Sequence, residues 1–388
     1  MRPFHVDVGQ DALADLHRRL ADTRWPDEPP GAGCDRGVAL SRLRELANYW
    51  RTGYDWRAAE RRLNSFPQFT TEIDGANVYF MHVRSPEPDA VPLLMTHGWP
   101  GSVAEYLDVI GPLTDPRAHG GDPADAFHVV VASPPGFGFS GPTRCPGWRV
   151  ERIAAAWGEL MRRLGYDRYL AHGGDLGVWI SLTLAALQPQ HLLGAHVSYL
   201  MTPPSGDPQE TAGLDEEDLA RLAQLVSLDG NAGYQKVQST RPQTLSYGLT
   251  DSPVGQLAWI ADKFWDWTDS AKPPQGSVSW DQLLTNVSIY WFTATAGSSA
   301  QLYFEMADLL PDASKPPALP PPLPVPLGVA VHPFDAVRPV RRIADSRFPN
   351  IVQWTEFDRG GHFPAMEEPE LFVADLRSFA RVVAREES

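Results

Sequence analysis

The chain has 388 residues, 43% hydrophobic and 21% charged, which is enough to bury one large core with an appended layer. A formal net charge of −15 sets it against nucleic-acid phosphates and anionic lipid surfaces. Its two cysteines, Cys34 and Cys145, form neither a disulfide framework nor a metal-ligand spacing, and no apolar run approaches the roughly 20 residues that span a bilayer.

The opening Met-Arg-Pro-Phe-His-Val-Asp-Val lacks the apolar core of a signal peptide, so a cytoplasmic, soluble protein is expected, with no membrane or nucleic-acid partner. Only Lys236, Lys263, Lys272 and Lys315 are lysines; with abundant Ala, Gly and Pro, this arginine bias points to a GC-rich bacterial genome.

Residues 1–68 read as helices and loops, a helical extension. Leu13, Leu16 and Leu20 recur at helical spacing within Gln10–Leu20, and Val38–Tyr54 carries a second helical pattern. Trp25, Trp50 and Trp56 read as packing residues. From Phe69 the pattern changes. Thr70–Ile73 and Val78–Val83 are short strands joined by Asp74-Gly75, a hairpin signal. Val91–Thr96 and Phe127–Ala132 are unbroken apolar runs, as expected of strands buried on both faces of a parallel sheet. Tyr169–His172 and Leu192–Leu200 continue the series, with helices at Val150–Leu164 and Val178–Leu187. This alternation predicts a doubly wound, mostly parallel α/β sheet.

The alternation stops near residue 203. Residues 203–315 read as a helical cap inserted between a first core segment, 69–202, and a second, 316–388. A proline-dense connector, Lys315–Pro326, suits neither helix nor central strand, and strand-like runs resume at Leu327–Val331 and Ile351–Phe357.

The most informative stretch is Leu170-Ala171-His172-Gly173-Gly174-Asp175-Leu176-Gly177. A strand turns sharply into a helix, with glycines two residues either side of Asp175. That is the strained elbow on which α/β-hydrolases present a nucleophile, usually Ser. An aspartate is already anionic at pH 7 and suits displacement at a saturated carbon bearing a leaving group, such as an epoxide or alkyl halide. Alone, the same residues would read equally well as a glycine-rich turn with Asp as a helix N-cap.

They do not stand alone. His97-Gly98-Trp99-Pro100-Gly101-Ser102 follows the strand ending at Thr96, where this fold draws one oxyanion N–H; the other comes from the residue after the nucleophile. The expected donors are the backbone N–H groups of Trp99 and Leu176. Ser133–Ser140 is a rigid turn expected beside them. Asp335 and His362 each follow a strand-like run, giving the chain order nucleophile, acid, histidine.

With these motifs in hand, the chain resembles the microsomal-type epoxide hydrolases and their soluble bacterial relatives over nearly its whole length. The resemblance rests on Thr23-Arg24-Trp25-Pro26-Asp27, the His97–Ser102 and Gly173-Gly174-Asp175 motifs, Asp251–Gly255, Leu284–Val287 and Arg359-Gly360-Gly361-His362-Phe363. It implies an α/β-hydrolase fold whose amino-terminal extension wraps the cap. It also implies two cap tyrosines that hydrogen-bond the epoxide oxygen; Gly233-Tyr234-Gln235 and Gln301–Glu305 match those contexts, assigning Tyr234 and Tyr303. Two departures stand out: Leu176 where relatives often carry Trp, and Asp335 where some carry Glu.

The expected reaction is water addition to an apolar epoxide, aryl-substituted ones included, giving a vicinal diol through an Asp175 ester. The substrate and water are the partners, no metal or organic cofactor is required, and a homodimer is left open. Detoxification and natural-product tailoring both fit. A dehalogenase would use the same ester chemistry, but commonly with a halide-binding Trp beside the nucleophile, where this chain has Leu176. A non-catalytic binding protein on the same scaffold would usually have lost a triad member, and none is missing.

Overall fold

Unbroken apolar runs build the centre of a nine-stranded sheet among the residues described by this computed structural model, which are 1–31, 33–272, 276–310 and 323–386. The strands are β1 (Arg2–Phe4), β2 (Gln68–Ile73), β3 (Ala76–Val83), β4 (Val91–Thr96) and β5 (Phe127–Ser133). They continue with β6 (Tyr169–Gly173), β7 (Leu192–Ser198), β8 (Leu327–Val331) and β9 (Ile351–Glu356). Their order across the sheet is β1-β2-β3-β5-β4-β6-β7-β8-β9. The pairs from β1 to β5 through β2 and β3 are antiparallel, and all others are parallel. Val129, Val130, Val131, Leu93 and Met95 have no exposed surface, because helices cover both faces of the parallel half.

Two of those helices carry the logic of the sequence. Val150–Leu164 buries Ile153, Ala154, Trp157, Leu160 and Met161 along one stripe and ends at Gly165 with a left-handed φ of 83°. Leu176–Leu187 (LGVWISLTLAAL) is apolar nearly all round, and most of it is buried. It starts two residues earlier than periodicity suggests, directly after Asp175.

Between β7 and β8 the chain forms helices at Pro208–Thr211, Glu216–Asn231, Gly233–Thr240, Pro242–Asp251, Pro253–Asp266, Trp280–Thr293 and Ala296–Glu305. Their starts are written locally. Ser252 caps its helix by accepting from Gly255 N at 3.0 Å, with Pro253 in the first helical position. Ser279 and Gln282 form a reciprocal capping box.

The amino-terminal helices Gln10–Ala21, Leu40–Thr52 and Trp56–Leu63 lie against this helical layer. Trp50 Nε1 donates to Ser288 Oγ at 3.0 Å, Tyr49 Oη to Asp281 at 2.8 Å, and the Trp56 and Phe292 rings are 4.8 Å apart. The Arg44 guanidinium sits over Trp25 at 5.2 Å and Arg42 over Trp265 at 3.9 Å.

The sequence reading of residues 1–68 as helices and loops needs one correction. Arg2–Phe4 is a strand on the sheet edge, with Arg2 opposite Thr70 and Phe4 opposite Gln68. Three residues are too few to show a period, and the partner that makes them a strand lies more than 60 positions away. The proline-dense connector and the boundary at 315/316 lie outside the described residues as far as position 322. Among the described residues no helix is long and apolar enough to cross a membrane.

Candidate active site

The parallel strands all end at one edge of the sheet, and the chemistry-bearing residues follow those ends. Trp99 comes after β4, Asp175 after β6, Asp335 after β8 and His362 after β9. In a doubly wound sheet this carboxyl edge is where crossing loops leave a crevice.

Asp175 has φ 51° and ψ −123°, a conformation rare for any residue with a Cβ. The fold enforces it by close approach. A Cβ on Gly173 would meet Gly177 O at 2.0 Å, and one on Gly177 would meet Thr96 O at 2.1 Å. Both flanking positions therefore need glycine so that strand and helix can cross with Asp175 at the apex.

The Asp175 carboxylate is half-buried and held from two sides. Oδ1 accepts the Trp99 N–H at 2.9 Å. A Cβ placed on Gly98 would meet Oδ1 at 2.2 Å and Leu176 N at 2.6 Å, so both atoms line the same backbone face. On the other side Oδ2 lies 3.3 Å from His362 Nε2. No hydrogen-bond partner aligns with that buried nitrogen, so the contact is an attraction of charges. His362 Nδ1 lies 2.7 Å from Asp335 Oδ1, which also accepts Ala336 N at 2.7 Å. All three side chains thus meet, although the sequence spreads them over 188 positions.

Burial works against a charge on His362, but the carboxylates of Asp335 and Asp175 outweigh it and push its pKa up to about 10. The imidazole is hemmed by aromatic rings: Trp267 at 4.8 Å, Tyr199 at 4.9 Å and Phe363 at 4.9 Å between centroids.

Tyr234 and Tyr303 come together from separate helices, Gly233–Thr240 and Ala296–Glu305, with ring centroids 6.0 Å apart. Tyr234 stacks on the Trp99 indole at 5.1 Å and 12°, and Tyr303 meets the same indole edge-on at 5.9 Å. Burial, reinforced by the negative charge of Asp175, holds both hydroxyls well above the ordinary tyrosine pKa, so they remain neutral donors. His97 is pushed down to about 4 by burial. It bridges Gly98 O and Ser133 Oγ at 3.0 Å each, fixing the loop that carries Trp99 against the Ser133–Ser140 turn.

Two neighbours of the site, Tyr199 and Glu105, were not found by sequence reasoning, and a third, Trp267, stood out only as one of several aromatic residues between positions 259 and 292. Tyr199, with φ 69°, follows β7 between the strand ends of Asp175 and Asp335. Its only sequence signal was its place near the end of the strand-like run Leu192–Leu200. Trp267 turns its backbone carbonyl to the His362 N–H at 2.8 Å. Glu105 is fully buried, and burial, with Asp175 and Glu367 adding to it against the opposing pull of His362, pushes its pKa up to about 8. It lies three residues past Ser102 and could have been caught by extending that motif. Among the described residues no group of three or more His, Cys, Asp or Glu side chains is arranged to hold a metal ion.

Residues 1–106 match the family model for the epoxide hydrolase N terminus, and residues 91–228 that for the alpha/beta hydrolase fold. A Stigmatella aurantiaca (strain DW4/3-1) protein, named provisionally as an epoxide hydrolase, is 46% identical over 98% of this chain and 84% of its own. Epoxide hydrolase 1 of Sus scrofa is 33% identical over 98% and 88% respectively. Among solved structures, the juvenile hormone epoxide hydrolase of the silkworm Bombyx mori superposes with a TM-score of 0.87 at 28% identity. That match covers 100% of this chain and 95% of the silkworm one. The Aspergillus niger epoxide hydrolase superposes with a TM-score of 0.85 at 29% identity, covering 98% and 96%.

Proposed function

Because the chain belongs to the epoxide hydrolase family, we propose that it opens an apolar epoxide to a vicinal diol through an ester on Asp175. One observation carries the reading: His362 lies between two carboxylates, 3.3 Å from Asp175 and 2.7 Å from Asp335, with the Trp99 N–H on the far oxygen of Asp175.

In this mechanism Tyr234 and Tyr303 donate to the oxirane oxygen. Asp175 Oδ2 attacks a ring carbon in line with the breaking C–O bond. The new alkoxide takes a proton from the tyrosine pair, which is restored from the imidazolium of His362. The products of this half are a neutral ester, a first hydroxyl and a neutral imidazole. The charge that Asp175 has lost was one of the two holding the His362 proton, so the imidazole now becomes a base. It takes a proton from water as the water oxygen attacks the Asp175 carbonyl carbon. Oδ1, the former carbonyl oxygen, carries the negative charge beside the Trp99 and Leu176 N–H groups. Collapse breaks the Cγ–Oδ2 bond; Oδ2 leaves with the diol and takes a proton from the imidazolium, and the proton left on the water oxygen passes back to His362, so that Asp175 regains a carboxylate containing the water oxygen and His362 its charge.

The aromatic rings of Trp99 and Trp267, packed on either side of Tyr234, support an apolar substrate. A cleft of about 1030 Å³ borders Tyr234, Trp267 and Asp335, and its lining also includes the charged Arg36, Asp262, Lys263 and Asp266. A dehalogenase reading is less well supported, since the paired hydroxyls suit an oxygen leaving group and residue 176 offers no side-chain donor.

The test is single turnover of styrene oxide in heavy-oxygen water, followed by mass analysis of the peptide containing Asp175. One label in that carboxylate is expected. An unlabelled peptide beside a labelled diol would overturn the ester route.

A further inference from the structure

Glu367 takes no part in this chemistry, yet it is 6% exposed and ends the short helix Pro364–Glu367 that follows the loop carrying the triad histidine. Its Oε1 accepts the Gly361 N–H at 3.1 Å and the Phe363 N–H at 3.0 Å, the two peptides flanking His362. The N–H between them, that of His362 itself, points the other way and donates to Trp267 O at 2.8 Å. Three consecutive peptides are thus held, alternately by one carboxylate oxygen and by a carbonyl of the helical cap. The second carboxylate oxygen, Oε2, accepts Ser277 Oγ at 2.6 Å, and Ser277 also belongs to the cap segment. Nearby, Gln282 Nε2 donates to Met366 O at 3.3 Å.

A buried carboxylate is costly unless its lone pairs are used, and here three donors use them. Burial still pushes the Glu367 pKa up to about 7 against those donors. The arrangement fixes the backbone on both sides of one side chain, which sets where the imidazole points.

We propose that Glu367 is a positioning residue for His362: a clamp that locks the histidine loop to the cap and so aligns the imidazole for the water attack on the ester. This rests on the Asp175 ester route. It separates the two half-reactions, because ring opening asks of His362 only its charge and a proton for the tyrosine pair, which a small rotation leaves in place, whereas hydrolysis needs Nε2 aimed at a water. An error of about 1 Å in such a group costs on the order of 100-fold in rate.

The experiment is rapid-mixing kinetics with styrene oxide, reading ester formation by quenched-flow mass analysis of the intact protein. Wild type and Glu367→Gln, Glu367→Ala and Glu367→Asp are compared. Gln keeps an oxygen for both N–H groups and a donor for Ser277, so hydrolysis within about threefold of wild type is expected. Ala, and Asp whose shorter arm cannot span the loop, should slow ester hydrolysis on the order of 100-fold and accumulate ester, with ester formation within about threefold. If Ala does not fold, Asp and Gln carry the comparison. Equal losses in both steps, unchanged hydrolysis in Asp, or Gln as impaired as Asp would each overturn the clamp. Absence of any ester in wild type, together with no label entering Asp175 in heavy-oxygen water, would instead overturn the Asp175 route on which it rests.

Discussion

The backbone N–H of Trp99 and the side chain of Asp175 are joined by a 2.9 Å hydrogen bond, although 76 residues separate them. In the proposed mechanism the contact gives the two carboxylate oxygens different fates: Oδ1 stays by the Trp99 N–H while Oδ2 faces the imidazole. It also depends on a bare backbone at Gly98, where a methyl group would meet Oδ1 at 2.2 Å. Gly98→Ala should therefore displace the nucleophile and lower kcat/KM by at least about 100-fold. Circular dichroism should stay native. Steady-state diol formation measures it, and activity within a few-fold of wild type would contradict the packing argument.

The tyrosine pair makes a complementary prediction for the other half-reaction. Tyr234→Phe and Tyr303→Phe each remove one donor to the developing alkoxide and nothing else of size. Loss of one such donor costs on the order of 100-fold. The loss should fall on ester formation, with hydrolysis of preformed ester unchanged. Burst amplitudes and rates in rapid mixing distinguish the two.

A pH dependence follows from the His362 environment. Its pKa is pushed up to about 10 by Asp335 and Asp175 together, so the free enzyme holds imidazolium below that pH and loses it above. In the proposed route ester formation uses that proton, and it should decline as pH rises through about 10. In the ester the Asp175 charge is gone and the imidazole pKa falls. Hydrolysis, which needs the neutral base, should therefore rise with pH through a lower value and level off. Single-turnover rates of both phases across pH check this, and one shared pKa would contradict it.

Trp50 predicts how tightly the amino-terminal helices hold the helical layer between β7 and β8. It is 1% exposed, and its Nε1 donates to Ser288 in the Trp280–Thr293 helix. Trp50→Ala should cost about 3–5 kcal/mol through the cavity it leaves. Trp50→Phe should cost less, about 1–2 kcal/mol, chiefly through the lost bond to Ser288. Urea unfolding monitored by far-ultraviolet dichroism gives both values.

What the sequence made legible was whatever is decided locally. The apolar runs at Leu93–Met95 and Val129–Ala132 declared a sheet covered on both faces. The helix Val150–Leu164 was legible with the bounds that it has in the structure. Gly173 and Gly177 announced a sharp elbow, because only glycine tolerates backbone atoms near 2 Å from where a Cβ would lie.

Other features became visible only when distant segments met. Arg2–Phe4 is a strand solely because β2 lies beside it. Tyr199 had no motif, and its position against His362 comes from β7 lying between β6 and β8 in the sheet. Glu367 looked like one acidic residue among several in Met366-Glu367-Glu368, until folding brought Gly361, Phe363 and Ser277 to its two oxygens. Sequence alone determined which residues could do chemistry and which turns could hold them, since backbone propensity and apolar period are properties of neighbours along the chain. Tertiary structure decided the distances, the charge held on His362 and the grip on its loop, since electrostatic and hydrogen-bond energies depend on separation in space.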